Sequence, residues 1–281
     1  MYKERINRTE LTILKILLDD VNSITTMAKT LGLSKSYISE SVTHLSMMGF
    51  IEVQRFGNTT ALHIAQTPLG NELSRLMREE SIMNHYRLMG GSRLKILPLV
   101  LEPGCTAREI CKRTGLSPRA VQGILGGWRQ MGIAVLEAIT YTLNARHEAV
   151  ISFVERYAEH RSLVHLKERF TDGTIVWQGR DEYIFSIGRS ISDPEFRPAA
   201  YSRLAELGRD IISRNEYYHH SPLPSDISEA EALIQAMKLD MHESRVRRLL
   251  LQSLARVRRE DLASFSRKYG IAKEVEAALD G

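Results

Sequence analysis

The sequence predicts a mainly helical α+β chain: two tandem modules of three helices and a β-hairpin, then an α+β domain with a helical tail. Three observations predict it. The phrase LGLSKSYISESVTHLSMMGF, from Leu31, has a counterpart in TGLSPRAVQGILGGWRQMGI, from Thr114, and the shared serines Ser34 and Ser117 lie 83 positions apart. After each copy the apolar period changes from that of a helix to that of a strand. In the last part of the chain TIVWQ and EYIFSI alternate like strands, and helical spacing takes over from Ser228.

In the first module, Leu11, Leu14, Leu17 and Leu18 recur at helical spacing and predict a first helix. Asn22 and Ser23 are N-cap candidates for a short second helix, ITTMAKTL, closed by Gly32. Ser34 starts a third helix with the apolar stripe Ile38, Val42, Leu45 and Met48, and Gly49 ends it. FIEVQ and TALHIA then alternate around RFGNT, which predicts a hairpin. Three helices, the last two joined by a tight turn, followed by a two-stranded ribbon make a winged helix-turn-helix.

The second module keeps this skeleton. Leu94, Ile96, Leu97 and Leu101 match Leu11, Ile13, Leu14 and Leu18, predicting the same first helix. Thr106 and Glu109 have capping-box spacing. The third-helix stripe becomes Val121, Leu125, Trp128 and Met131, and Cys111 falls opposite Ala28, where a small core thiol is expected. The predicted domains are residues 1–80, residues 81–165 including a linker helix, and residues 166–281.

Composition, 43% hydrophobic and 26% charged, is that of a globular protein, and no apolar run approaches the roughly 20 residues that span a bilayer. The basic-then-apolar start is interrupted by Thr12 and Lys15 and ended by Asp19 and Asp20, so it reads as an amphipathic helix and not a signal peptide. Cys105 and Cys111 have no metal or redox spacing, and a reduced, cytoplasmic setting is expected. Net charge is +4 and unevenly placed: residues 81–150 carry nine Lys/Arg against four Asp/Glu, whereas residues 1–80 balance nine against nine. That excess favours an anionic partner for the middle segment.

A helix that reads DNA needs polar side chains opposite its core stripe. The first module offers Ser34, Lys35, Ser36, Tyr37, Ser39, Glu40, Thr43 and His44, with Arg55 and Asn58 in the hairpin. Hydroxyls and a tyrosine suit base edges and phosphates, whereas Glu40 is awkward beside phosphates unless it accepts from a cytosine amine. The second module offers Arg113, Ser117, Arg119 and Gln122, but its outward face also holds Gly123, Gly126 and Gly127, and its hairpin AVLEAITYTL carries no Lys or Arg. Each helical glycine costs up to about 1 kcal/mol relative to alanine, so three of them imply close backbone approach or an irregular helix. This copy is expected to grip phosphates or pack against a neighbour more than to read bases.

The stretch LSKSYISESVTHLSMMGFIEVQRFGNTTALHIAQTPLG resembles the MarR-type winged helix of bacterial and archaeal regulators. The Leu-Ser start, the Met-Gly-Phe-Ile exit and the closing Thr67-Pro68-Leu69-Gly70 carry the resemblance, over residues 9–79. It implies a sequence-specific regulator of transcription that binds double-stranded DNA as a homodimer.

For the last domain the pattern predicts a helix to about His160, strands at TIVWQ and EYIFSI, a helix at PAAYSRLAEL stopped by Gly208, a short buried strand at DIIS, a polar connection NEYYHHSPLPS, and helices at 228–239, 243–258, 260–269 and 271–279. In GRSISDPE, Asp193 and Glu195 flank a proline too close to Ser190 for a strand-borne metal pair, and His219-His220 lacks zinc spacing. No catalytic set, metal or cofactor is expected. The order of a helix ending in Gly, a strand, EYY, a Ser-Glu-x-Glu-x-Leu helix and DLASFSRKYG resembles the C-terminal domains of AbiEi-type antitoxins, catalytically empty relatives of nucleotidyltransferases. That resemblance implies autoregulation of an operon and a toxin-like nucleotidyltransferase partner. The alternatives are a nucleotide-binding or nucleotidyltransferase-like enzyme targeted by winged helices, and an antitoxin or adaptor working by protein–protein contacts.

Overall fold

The computed structural model describes residues 4–19, 22–56, 59–101, 104–211, 213–223, 225–240, 252 and 256–280. Helices and small antiparallel sheets make an α+β fold. Contacts divide it into two compact units, Met1–Arg161 and Ser162–Gly281. No helix among the described residues is long and apolar enough to cross a membrane.

The first unit contains both copies of the repeated phrase. Helices α1 (Arg8–Asp19), α2 (Ile24–Leu31) and α3 (Lys35–Met47) lead into β1 (Ile51–Phe56) and β2 (Thr59–Ile64). After α4 (Pro68–Glu79), α5 (His85–Met89) and α6 (Arg93–Ile96) come β3 (Cys105–Thr106), α7 (Ala107–Thr114), α8 (Pro118–Gln130), β4 (Ala134–Glu137) and β5 (Thr140–Leu143), then the long α9 (Glu148–Arg169). The offset of 83 is kept to the residue by α2 and α7 and by α3 and α8.

It is kept by the individual caps as well. Ser34 Oγ accepts from Tyr37 N–H and Ser117 Oγ from Ala120 N–H, each closing the first turn of its helix. Gly32 (φ 64°) and Gly115 (φ 67°) end the preceding helices in the left-handed region, which suits a residue without Cβ. At the exits Phe50 N–H bonds Leu45 C=O at 3.0 Å and Ile133 N–H bonds Trp128 C=O at 2.9 Å. Asn22 exchanges backbone hydrogen bonds with Leu62 just as Cys105 pairs with Tyr141, so each hairpin gains a third edge from the chain before its second helix.

The first helix of the second copy departs from expectation. It is α6, four residues long, continued by a 3₁₀ turn at Leu97–Val100, and not a regular helix like α1. Pro98 has no N–H to give the i−4 carbonyl and its ring collides with the preceding turn, so the α-helix cannot run through it. Leu94, Ile96 and Leu97 are nevertheless buried in the single cluster that unites both copies, with Trp128 and Phe50 fully enclosed. Of the two free thiols, Cys105 is buried and Cys111 only partly so; Cys111 packs at the edge of the core rather than in its centre.

In the second unit a four-stranded antiparallel sheet runs in the order β6 (Thr174–Gln178), β7 (Tyr183–Ile187), β9 (Glu216–His220), β8 (Phe196–Pro198). Helices α10 (Ala200–Glu206), α11 (Glu229–Leu239), α12 (Arg259–Lys268) and α13 (Ala272–Asp280) complete the unit. Period two sorts β7 onto two cores. Tyr183, Phe185 and Ile187 pack with Phe196, Tyr218, Leu166 and Phe170, while Ile184 joins the apolar faces of α10 to α13.

Four expectations change here. Glu216–His220 is an inner strand rather than a polar connection: Tyr217 and His219 on one face and Tyr218 and His220 on the other give it two largely covered faces, and β-prone tyrosines outweigh the flanking prolines. Phe196–Pro198 forms a strand at the sheet edge, where a proline is tolerated. Asp210, Ile211 and Ser213 are in no strand. Helix α9 continues past His160 to Arg169, since nothing breaks it, and Lys167 Nζ then caps the turn by donating to the carbonyls of Thr171 at 2.7 Å and Gly173 at 2.9 Å. The expected helix at 243–258, with its Leu249, Leu250 and Leu254 face, falls almost wholly outside the described residues, as does Asn58.

A polar chain fastens the tail to this sheet. Lys268 Nζ lies 2.9 Å from both Glu182 Oε2 and Glu231 Oε1. His219 Nε2 meets Glu182 at 3.2 Å, Tyr269 O–H donates to Glu231 at 2.9 Å, and Gln235 donates to Tyr269 at 2.7 Å. Gln235 Oε1 also accepts from the N–H of Ala200, which sits at φ 45°. Burial works against both charges, but His219 and Lys268 hold the Glu182 carboxyl well below the usual range, and the two carboxylates hold Lys268 above its ordinary value.

Two predictions follow from this packing. Gly132→Ala, at φ 72° with open space around it, should cost only the left-handed penalty of about 1 kcal/mol. At Gly49 (φ 74°) a Cβ would also strike the His160 ring, so Gly49→Ala should cost about 3 kcal/mol; denaturant titration compares them. Lys268→Met should cost on the order of 2 kcal/mol at neutral pH, short of the 3–5 of a closed pair because the lysine is 36% exposed. The Glu182 contribution is complete above its ordinary pKa of 4.5 and lost as pH falls through the depressed value, whereas that of Lys268 is complete below 10.5 and lost as pH rises through the raised value. The gap between wild type and Lys268→Met should therefore narrow outside this window, which thermal unfolding against pH measures.

Candidate nucleic-acid interface

The outer face of α3 is polar because its apolar stripe points inward. Ser36, Ser39, Glu40 and Thr43 are exposed, Tyr37 is 39% exposed, and Lys35 and Arg55 are exposed at the helix start and on β1. Thr43 Oγ1 donates to the Ser39 carbonyl at 2.9 Å, which leaves its oxygen lone pairs facing outward. The Ser34 and Ser117 oxygens are engaged in capping, so these residues set the start of each helix before they can serve any ligand.

His44 is not part of that open face. Its Nδ1 lies 2.7 Å from Glu10 Oε1, and Glu10 is 4% exposed. The other carboxylate oxygen of Glu10 accepts from Asn7 N–H at 2.7 Å while Asn7 Oδ1 accepts from Glu10 N–H at 2.9 Å, a reciprocal cap on α1. One carboxylate thus starts α1 and pins α3 to it, and His44 serves that tie.

Applying the same offset of 83, Glu10 corresponds to Arg93 and His44 to Gly127, while Glu40 and Thr43 correspond to Gly123 and Gly126. The tie is missing from the second copy, and a groove of about 420 Å³ occupies its place. Arg87, Arg93, Gln122, Gln130 and the α8 glycines line it. Helix α8 is regular through all three glycines, and a Cβ at any of them would meet nothing within 4 Å. Internal packing therefore does not require glycine there.

The floor and rim of this groove are fixed from within. Trp128 Nε1 donates to the Arg87 carbonyl at 2.9 Å and holds α5 against α8. Arg93 donates to the Gly90 carbonyl at 3.0 Å, and its guanidinium stands 6.0 Å over the Tyr86 ring. Arg119 and Arg129 are exposed on α8, and Arg113 is half-buried on α7. Gln130 was expected on the outward face of α8, whereas Arg87 and Arg93 were absent from the sequence-derived candidates. The signal was the repeat itself: aligning Leu94 with Leu11 already sets Arg93 against Glu10, a reversal of charge at one position.

The hairpin of the second copy presents apolar side chains. Leu136 and Ile139 are 40% and 72% exposed, and Ala138 sits at φ 52° in the turn. In the second unit, Asp193 and Glu195 both meet the Arg169 guanidinium, at 3.0 and 2.8 Å. His219 is in a strand facing Glu182, and no group of His, Cys, Asp and Glu among the described residues is arranged to hold a metal.

Because the α8 glycines face open space, replacing Gly123, Gly126 and Gly127 by alanine should stabilise the chain, by up to about 1 kcal/mol at each position. Chemical denaturation of the three single variants checks this; a loss of stability would mean that the helix needs glycine for its own conformation. No family model and no curated protein matches the chain, which leaves the geometry of these two helix faces to carry the functional conclusion.

Proposed function

We propose that the chain is a DNA-binding regulator of transcription in which two winged helix-turn-helix modules meet one duplex in different ways. The α3 face, with Ser36, Tyr37, Ser39, Glu40 and Thr43, contacts base edges. The α8 groove seats backbone phosphates between Arg87 and Arg93, with Arg119 and Arg129 adding charge on the same helix. The observation that carries this reading is the bare glycine face beside two guanidiniums, at the position where the first copy closes itself with a carboxylate and a histidine. Removing side chains lets a strand come close to a helix backbone, and arginine suits the phosphates it brings.

The local excess of positive charge supports the same division of labour, since phosphate contacts give affinity and base contacts give discrimination. Association as a homodimer and a regulatory role for the second unit belong to the proposal, supported by the resemblances in sequence.

Selection from a random duplex library, followed by salt titration, tests it. Arg87→Gln and Arg93→Gln should each weaken binding to all duplexes and reduce the slope of log affinity against log salt by about 1. Truncating Ser36, Tyr37 and Thr43 to alanine should cut the preference for the selected site by about 1–3 kcal/mol per lost base contact while sparing non-specific binding. A library that yields no preferred duplex would overturn the regulator reading.

A further inference from the structure

We infer a second ligand site, for a small phosphate monoester with an apolar or aromatic body, in the cleft between α1 and the Ser81–Tyr86 segment. The cleft has a volume of about 610 Å³ and lies wholly within the first unit. That is within the roughly 300–1,000 Å³ of small-molecule sites.

Its wall is a set of donors with no carboxylate among the residues that line it. Arg8 and Lys15 stand on one face of α1 and form no ion pair with any described residue, and no Asp or Glu lines the cleft. The Arg8 guanidinium lies 5.1 Å over the Tyr86 ring, which holds it in place without neutralising it. Asn84 uses its carbonyl oxygen to cap Arg87 N–H at 3.1 Å, leaving its amide N–H groups for other acceptors, and Ser81 adds a hydroxyl. Leu11, Met83 and the Tyr86 ring make the apolar side.

His85 supplies an independent observation. It lines the cleft, is 3% exposed, and neither ring nitrogen closes a hydrogen bond, although the carbonyls of Leu76 and Glu80 lie nearby. Buried polar groups in folded chains nearly always have partners, so an imidazole left in this state marks a place for one. Burial, and then the charge of Lys15, keep its pKa below the ordinary value, with the Leu76 and Glu80 carbonyls and the Glu80 charge acting the other way. The neutral ring offers one N–H to an anion.

Phosphate fits this set better than carboxylate. A terminal phosphate presents three strong acceptor oxygens, enough to engage guanidinium, ammonium and imidazole N–H together, whereas a carboxylate presents two. A small ester suits the cleft better than the backbone of a duplex, because its phosphate must reach an imidazole that is only 3% exposed in the cleft lining, where a rigid polyanion cannot follow.

Isothermal titration of the intact chain with phenyl phosphate, inorganic phosphate, benzoate and a selected duplex tests the inference. Phenyl phosphate should bind once per chain, at least about tenfold more tightly than inorganic phosphate or benzoate. Arg8→Gln and Lys15→Gln should each weaken it by at least about tenfold without changing the unfolding temperature. The His85 ring resonances should shift on saturation. Arg87→Gln, in the other groove, should leave phenyl phosphate binding unchanged, so the site can stand even if duplex binding fails. No saturable binding at millimolar phenyl phosphate, affinity indifferent to Arg8→Gln and Lys15→Gln, equal binding of benzoate, or one-for-one displacement by duplex would each overturn it.

Discussion

The carboxylate of Glu10 is the constraint around which the first unit is organised. Nearly enclosed, it starts α1 through Asn7 and holds α3 through His44. A buried acid with a partner on each oxygen is satisfied and fixes two helices in one step. The second copy keeps the helix-starting serine, the turn glycine and the exit hydrogen bond of the first and discards this one. With Arg93 and Gly127 in the places of Glu10 and His44, the same helix pair is left open. One module thus has a helix face closed from behind by its own side chains, and the other a face that is hollow and cationic.

The second unit uses charge differently. Glu182, Glu231 and Lys268 are drawn together between a sheet and a helical tail, where each alone would be unfavourable. Their value lies in geometry. Lys268 and Tyr269 end α12, Glu182 precedes β7, and Gln235 reaches Ala200 in its left-handed conformation, so four segments distant in sequence are set by one connected network.

Much of the first unit was legible because its signals are local. Caps, turn glycines and apolar stripes each act within a few residues, and the repeat showed each of them twice. The broken first helix of the second copy is also local, for Pro98 announces it, yet the matched leucines concealed it. Less could be seen where a residue's role depends on a distant partner. His44 looks like part of an open polar face until Glu10, 34 positions earlier, claims it. The tyrosines and histidines of Glu216–His220 look like a polar loop until β7 and β8 supply neighbours on both sides. The α8 glycines were visible as an anomaly, but only the space around them showed that no packing among the described residues calls for them.

The strand order of the second sheet has a consequence for the order of events during synthesis. Among the described residues β8 is paired only with β9, and β9 is the last of the four strands to be made. Until residue 220 is available, the chain holds a β6–β7 hairpin with an open edge and a β8 segment with no neighbour. Both apolar faces of β7 stay partly uncovered through that interval, and the helices that cover one of them come later still. Pairings that close late in the sequence are slow and expose strand edges while they wait. The first unit, built from short-range caps and adjacent helices, can be complete before that wait begins, and so the nascent chain would carry a finished helical body ahead of an unfinished sheet.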